Sequence, residues 1–184
     1  MSIILKTSEQ IRLMKEAGRI TGEAILKARD VIRPGVSTWE VDRVIHDYIV
    51  KCGAKPSFLG YAGFPGSACV SVNSEVIHGI PSRHRILEEG DLVKVDVGAL
   101  YRGYHGDSAK TFAVGRVSPE AERLIERTRE CFYRGVAKAV AGNRIGDVGH
   151  AVQTCAEEAG FSVVREYVGH GVGSHLHEEP NVSN

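Results

Sequence analysis

Residues 90–115, GDLVKVDVGALYRGYHGDSAKTFAVG, limit what this chain can fold into more than any other stretch. Val93, Val95 and Val97 alternate with Lys94, Asp96 and Gly98, the period of a half-buried strand that turns its valines to a core and Asp96 away from it. A polar turn at Tyr101, Arg102 and Gly103 separates this strand from a second run ending at Val114, so the segment reads as an antiparallel hairpin. Asp96 and Asp107 then stand opposite or nearly opposite across the ladder. Directly opposite on one face, their Cβ atoms would be about 4.5–5.5 Å apart. Two carboxylates at that distance repel unless a cation or a shared proton lies between them, and the hairpin reads as half of a metal cradle. Turn-forming or solvated aspartates are the alternative.

The 184 residues suffice for one domain with a true core, read here as a first half of about 1–115 and a second of about 116–184. Lys and Arg (23) balance Asp and Glu (23), so overall charge favours neither a nucleic-acid nor a membrane partner. Cys52, Cys69, Cys131 and Cys155 are widely spaced and form no C-x-x-C pair, so neither a zinc knuckle nor a disulfide framework is indicated and they read most simply as buried thiols in a reducing compartment. The N-terminus turns polar too soon for a signal peptide, and no 18-residue apolar run follows, so the expected location is the cytoplasm.

Thr7 with Gln10 makes a capping-box start to a long amphipathic helix that Pro34-Gly35 stops. Ser37 with Glu40 opens a second helix ending near Gly53. A glycine-rich run over 60–66 leads to a strand over 68–72, and the turn at Asn73-Ser74-Glu75 is expected to return it as a second strand through Val76, Ile77 and His78 to Pro81. After the central hairpin, Ser118-Pro119-Glu120 starts a helix reaching about Val140. Another helix carries Val148, Val152 and Cys155 and closes at Gly160, and residues 161–168 read as extended.

At a shift of 107 residues Gly35 falls on Gly142, Val41 on Val148, Ile45 on Val152 and Gly53 on Gly160. Helix, turn, helix, glycine, strand therefore occurs twice, which implies a pseudo-symmetric α+β domain with its site at the junction of the halves. The same shift places a second hairpin near 197–222, outside this sequence, so the second half is expected to lack its C-terminal strands and to leave apolar surface exposed.

Residues 166–180, EYVGHGVGSHLHEEP, carry His170, His175 and His177 among three glycines, a setting for metal-ligating imidazole or for a plain surface loop. With GYAGFPGSACVSVNSEVIHGIP from Gly60, KVDVGALYRGYHGDSAKTFAVG from Lys94 and VVREYVGHGVGSHLHEEP from Val163, the chain closely resembles the type I methionine aminopeptidases. That resemblance implies the pita-bread fold, two related α/β halves around a dinuclear centre of divalent cations (cobalt, manganese, iron or zinc), and removal of the initiator methionine from nascent polypeptides. It implies Asp96, Asp107 and His170 as three of five protein metal ligands; the other two are glutamates beyond residue 184, so these residues by themselves are expected to be weakly active or inactive. His78 resembles the residue that contacts the substrate near the scissile amide, and His177 the one that approaches its carbonyl. Tyr61, Phe64, Cys69 and Leu176 occupy positions resembling the methionine side-chain pocket, for which aromatic rings and a thiol offer a polarizable lining. His105 is a second-layer or purely structural residue, and His175 belongs to the loop. The expected partners are the N-terminal peptides of nascent proteins and, as a candidate, the ribosome. Two other readings remain open at this point: a non-catalytic peptide-binding protein of the same fold, and a proline-directed peptidase.

Overall fold

The computed structural model describes residues 3–184, in which the chain forms two compact units. One comprises Leu5–Ser118 with Val172–Leu176; the other comprises Pro119–Gly171 and His177–Asn184 with residues 3 and 4.

In the larger unit, α1 (Ser8–Val31) and α2 (Thr38–Lys51) begin where the capping pairs predict. The Thr7 and Ser37 side chains accept from the N–H groups of Gln10 and Glu40, whose own side chains reach back to the cap backbone. Four strands follow: β1 (Lys55–Pro56), β2 (Ala68–Val72), β3 (Leu92–Tyr101) and β4 (Tyr104–Ala113), with a short 3-10 turn at Tyr61–Gly63. All pairing is antiparallel: β3 takes β1 and β2 along one edge and β4 along the other. Arg102 and Gly103 both have positive φ, as a two-residue type I′ hairpin turn requires.

Val93, Val95 and Val97, with Ala68, Val70 and Val72 of β2, form one apolar face. Ile20, Ala24 and Ala28 of α1 and Val41, Ile45 and Ile49 of α2 pack in the same core cluster. Burying each such valine or isoleucine contributes about 1.5–3 kcal/mol against the entropy of ordering the chain. α1 lies closest where β4 carries Gly106: a Cβ there would be 2.6 Å from the Ala17 carbonyl carbon and the Gly18 nitrogen. Asp42 of α2 anchors the start of β2 by accepting from the N–H groups of Ser67 (2.7 Å) and Ala68 (2.9 Å).

The expected return strand through Val76–Pro81 does not form. Ser71 Oγ accepts from the Gly79 N–H at 2.9 Å and Val70 N–H donates to the Gly79 carbonyl, also at 2.9 Å, but no ladder extends from them. The edge of β2 is ordered instead by β3, whose longer valine run offers five paired residues.

In the smaller unit, α3 (Pro119–Val136) ends four residues before the expected Val140, running out through short-range turn bonds such as Lys138 N–H to Gly135 O. α4 (Ile145–Glu158) packs against it, and β5 (Gly169–Gly171) pairs with β6 (Glu178–Val182). Residues 161–168 run without strand pairing. The internal repeat is borne out in local detail: under the 107-residue shift α2 and α4 begin and end at equivalent residues. Gly35 and Gly142 share positive φ (88° and 95°), as do Gly53 and Gly160 (71° and 77°).

Two glycine substitutions of opposite sign test this packing. Gly106→Ala drives a methyl into the α1 backbone and is expected to cost about 1–3 kcal/mol. Gly18→Ala, where an added Cβ meets nothing within 4 Å, is expected to stabilise by about 0.5–1 kcal/mol through helix propensity. Urea unfolding of the two variants reads both.

Candidate metal centre and substrate pocket

The sheet face opposite the valines carries both candidate aspartates. Its alternation brings Cys69 of β2 opposite Asp96 of β3, and Asp107 of β4 opposite Gly98 of β3. Asp96 itself pairs with Ala109, so the aspartates are diagonal neighbours, two residues out of register, rather than directly opposite. Diagonal positions are about 7–8 Å apart, within reach of two leaning side chains. The carboxyl groups do meet, sharing a hydrogen bond. Burial first, and then the charge and hydrogen bond of Asp107, hold the Asp96 carboxyl above the usual carboxylate range, against the donation of the Val97 N–H. Two half-buried carboxyls that share a proton are hard oxygen donors of the kind a divalent cation takes, which makes the pair a candidate cation site. Among the described residues no group of three or more His, Cys, Asp or Glu side chains closes on one point.

Gly98 is required beside this pair. A Cβ there would lie 2.7 Å from the Phe58 ring and 2.8 Å from the Ser57 Cβ, so its absence lets both pack onto β3. Ser57 N–H donates to the Gly98 carbonyl (2.9 Å), and Ser57 Oγ bonds the His105 Nδ1 at 2.9 Å. The His105 N–H donates to the Gly173 carbonyl at 2.8 Å, which fixes the segment Val172–Leu176 against the hairpin. His105 thus positions a strap. That strap delivers Leu176 into a buried cluster with Phe58 and Cys69, with Phe64 packed against it. Burial, followed by the charges of Asp96, Asp107 and Asp42, pushes the Cys69 thiol up to about 12, so it sits in the cluster as a neutral, polarizable group. Tyr61 is half exposed and stands outside this cluster. Phe58 is the lining residue that the pattern of the sequence did not single out; its only signal is its place just before the glycine-rich run.

His78 is exposed and has φ of 59°, a left-handed conformation that non-glycine residues adopt at a cost of about 1–3 kcal/mol. The next residue imposes it, because Gly79 is clamped to β2 by its bonds to Ser71 and Val70.

In the smaller unit His170 lies on β5 opposite Asn181, beside a bulge. Its Nδ1 donates to the Gly171 carbonyl at 2.9 Å, which fixes the proton on Nδ1 and puts the lone pair on Nε2, the tautomer a metal-binding imidazole needs. The ring of exposed His177 lies 4.2 Å from that of His170, centroid to centroid. His175 sits in the exposed part of the strap.

Residues 12–184 match the family model described as metallopeptidase family M24. The chain is 52% identical over 182 residues to the methionine aminopeptidase of Clostridium acetobutylicum, covering 99% of this chain and 73% of that protein. It is 49% identical over 180 residues to methionine aminopeptidase 1 of Bacillus subtilis, covering 98% and 72%. Among solved structures it resembles methionine aminopeptidase from Thermotoga maritima with a TM-score of 0.96 at 43% identity, covering 100% of this chain and 74% of that one. Prolidase from Pyrococcus furiosus is also similar, with a TM-score of 0.87 at 29% identity, covering 98% and 52%.

Replacing Asp96 with Asn removes one of the two opposed charges. The metal-free chain is expected to gain about 1 kcal/mol, while the rise in melting temperature on adding manganese or cobalt is lost. Thermal melts with and without metal, compared with the unsubstituted chain, read both effects.

Proposed function

This chain belongs to metallopeptidase family M24 and has its pita-bread fold, and from that premise we propose that it removes the N-terminal methionine of nascent polypeptides by metal-assisted hydrolysis. The observation that carries the reading is the hydrogen-bonded Asp96–Asp107 pair beside a buried, thiol-containing apolar cluster, on a chain about half identical to methionine aminopeptidases.

We assign Asp96, Asp107 and His170 as ligands of two divalent cations, drawn from cobalt, manganese, iron and zinc. When bound, such cations supply Lewis acidity, which makes water nucleophilic near neutral pH and polarises an amide carbonyl. The chain's own residues do the rest. Asp96 and Asp107 offer oxygen donors on one sheet face, and His170 offers Nε2. His177 is the donor assigned to the developing oxyanion, and His78, held in its strained conformation, orients the amide. Phe58, Phe64, Cys69 and Leu176 exclude water from a side chain of methionine's size and softness, with Tyr61 at the margin. Identity of 52% to a methionine aminopeptidase, against 29% to a prolidase, favours this over a proline-directed peptidase.

Release of methionine from a Met-Ala-Ser peptide, followed by chromatography, should appear only with added cobalt or manganese and disappear with a chelator. Asp107→Ala should lower it about 100-fold or more. Hydrolysis indifferent to chelation, or cleavage confined to Xaa-Pro peptides, would overturn the proposal; metal and peptide binding with no hydrolysis would establish the non-catalytic alternative.

A further inference from the structure

Cys131 of α3 and Cys155 of α4 are both buried, and with Ala156 they form the core of the smaller unit. The two helices are antiparallel neighbours, and their register is fixed on either side of the thiols. One turn after Cys131, Gly135 meets α4 so closely that an added Cβ would lie 2.7 Å from a Val152 methyl. Arg134 bonds Glu158 at 2.8 Å, and Arg123 bonds the Ala159 carbonyl. Helices that touch through glycine run with axes about 8 Å apart, and their Cα atoms lie about 2.3 Å from each axis. Over the usual spacing of about 8–10 Å, directly facing Cα atoms come to about 3.4–5.4 Å of each other, which overlaps the range of about 4.4–6.8 Å that a disulfide spans. The thiols are within hydrogen-bonding reach of each other. No part of the proposed peptidase chemistry uses them.

We propose that Cys131 and Cys155 form an oxidisable pair that staples α3 to α4 through a disulfide. With a small-molecule disulfide as oxidant, one cysteine loses its proton and its thiolate attacks a sulfur of the oxidant, releasing one thiolate and leaving a mixed disulfide. The other cysteine, deprotonated in turn, displaces the second thiolate. One protein S–S bond forms, two thiols leave carrying the two protons, and two electrons pass to the oxidant. Burial and the neighbouring thiol raise the Cys131 thiol to about 11, so attack near neutrality is slow and waits on local opening of the helix pair. The staple therefore records sustained oxidation rather than brief exposure.

The test incubates the whole chain with oxidised glutathione at mildly alkaline pH, blocks remaining thiols with iodoacetamide and maps a non-reduced tryptic digest by mass spectrometry. The expected product is one intramolecular Cys131–Cys155 linkage, lighter by two hydrogens and at least about tenfold more abundant than any pairing with Cys52 or Cys69. Its formation should raise the melting midpoint of the oxidised protein, and Cys131→Ser and Cys155→Ala should each abolish it. Scrambled pairing, glutathione adducts that never resolve, or both thiols recovered unlinked would overturn the proposal. The mapping of the unsubstituted chain decides even if a variant fails to fold.

Discussion

Two carboxyl groups, Asp96 and Asp107, are held against each other on one face of a sheet, and most of the larger unit can be understood as the means of keeping them there. Like charges in a poorly hydrated place push a chain apart, so the pair persists only because other contacts fix the hairpin more strongly than the repulsion opens it. The valine face supplies that hold. It lies under α1 and α2, and its register is locked by five residue pairs with β2 and ten with β4. A shared proton relieves the repulsion in the metal-free chain; a divalent cation would relieve it more completely. The same burial that makes the pair costly is what recommends it as the proposed cation site.

The surroundings follow the same logic of close approach. Gly98 has no side chain, so Ser57 and Phe58 reach β3; Ser57 then holds His105, and His105 holds the strap that carries Leu176. One missing methyl thus connects the carboxylate face to the pocket wall. Cys69 links them again, since its position opposite Asp96 places a thiol both in the apolar cluster and next to the charges. The clamp on Gly79 works similarly for His78: a backbone fixed to β2 forces its neighbour into a conformation it would not choose.

The two units show how far an internal repeat carries. α2 and α4 agree in length and in the conformation of their flanking glycines. α1 and α3 agree in position but differ in what they bury. Ala24 and Ala28 of α1 correspond to Cys131 and Gly135, all buried, whereas Ala17 and Ile25, also buried, correspond to Leu124 (40% exposed) and Phe132 (61% exposed). In α1 those positions meet strands β3 and β4. The pattern of apolar residues is repeated; the surface it meets within each unit is not.

Local signals in the sequence were enough for both capping boxes, the alternation of β3, the hairpin turn at Arg102-Gly103 and the repeated glycines, because each depends on interactions among residues a few positions apart. The family motifs, not periodicity, gave Asp96, Asp107, His170, His78, His177, Tyr61, Phe64, Cys69 and Leu176 their proposed roles, and the structure gathers Phe64, Cys69 and Leu176 into one apolar cluster. The diagonal register of the aspartates, the failure of Val76–Pro81 to return as a strand and the entry of Phe58 into the apolar cluster were decided only by the tertiary structure. Each depends on which backbone a residue meets across a turn or a longer loop, Asp107 on Gly98, Gly79 on Ser71 or Phe58 on Leu176, and periodicity along one segment fixes neither the register of its partner nor which segment that partner is.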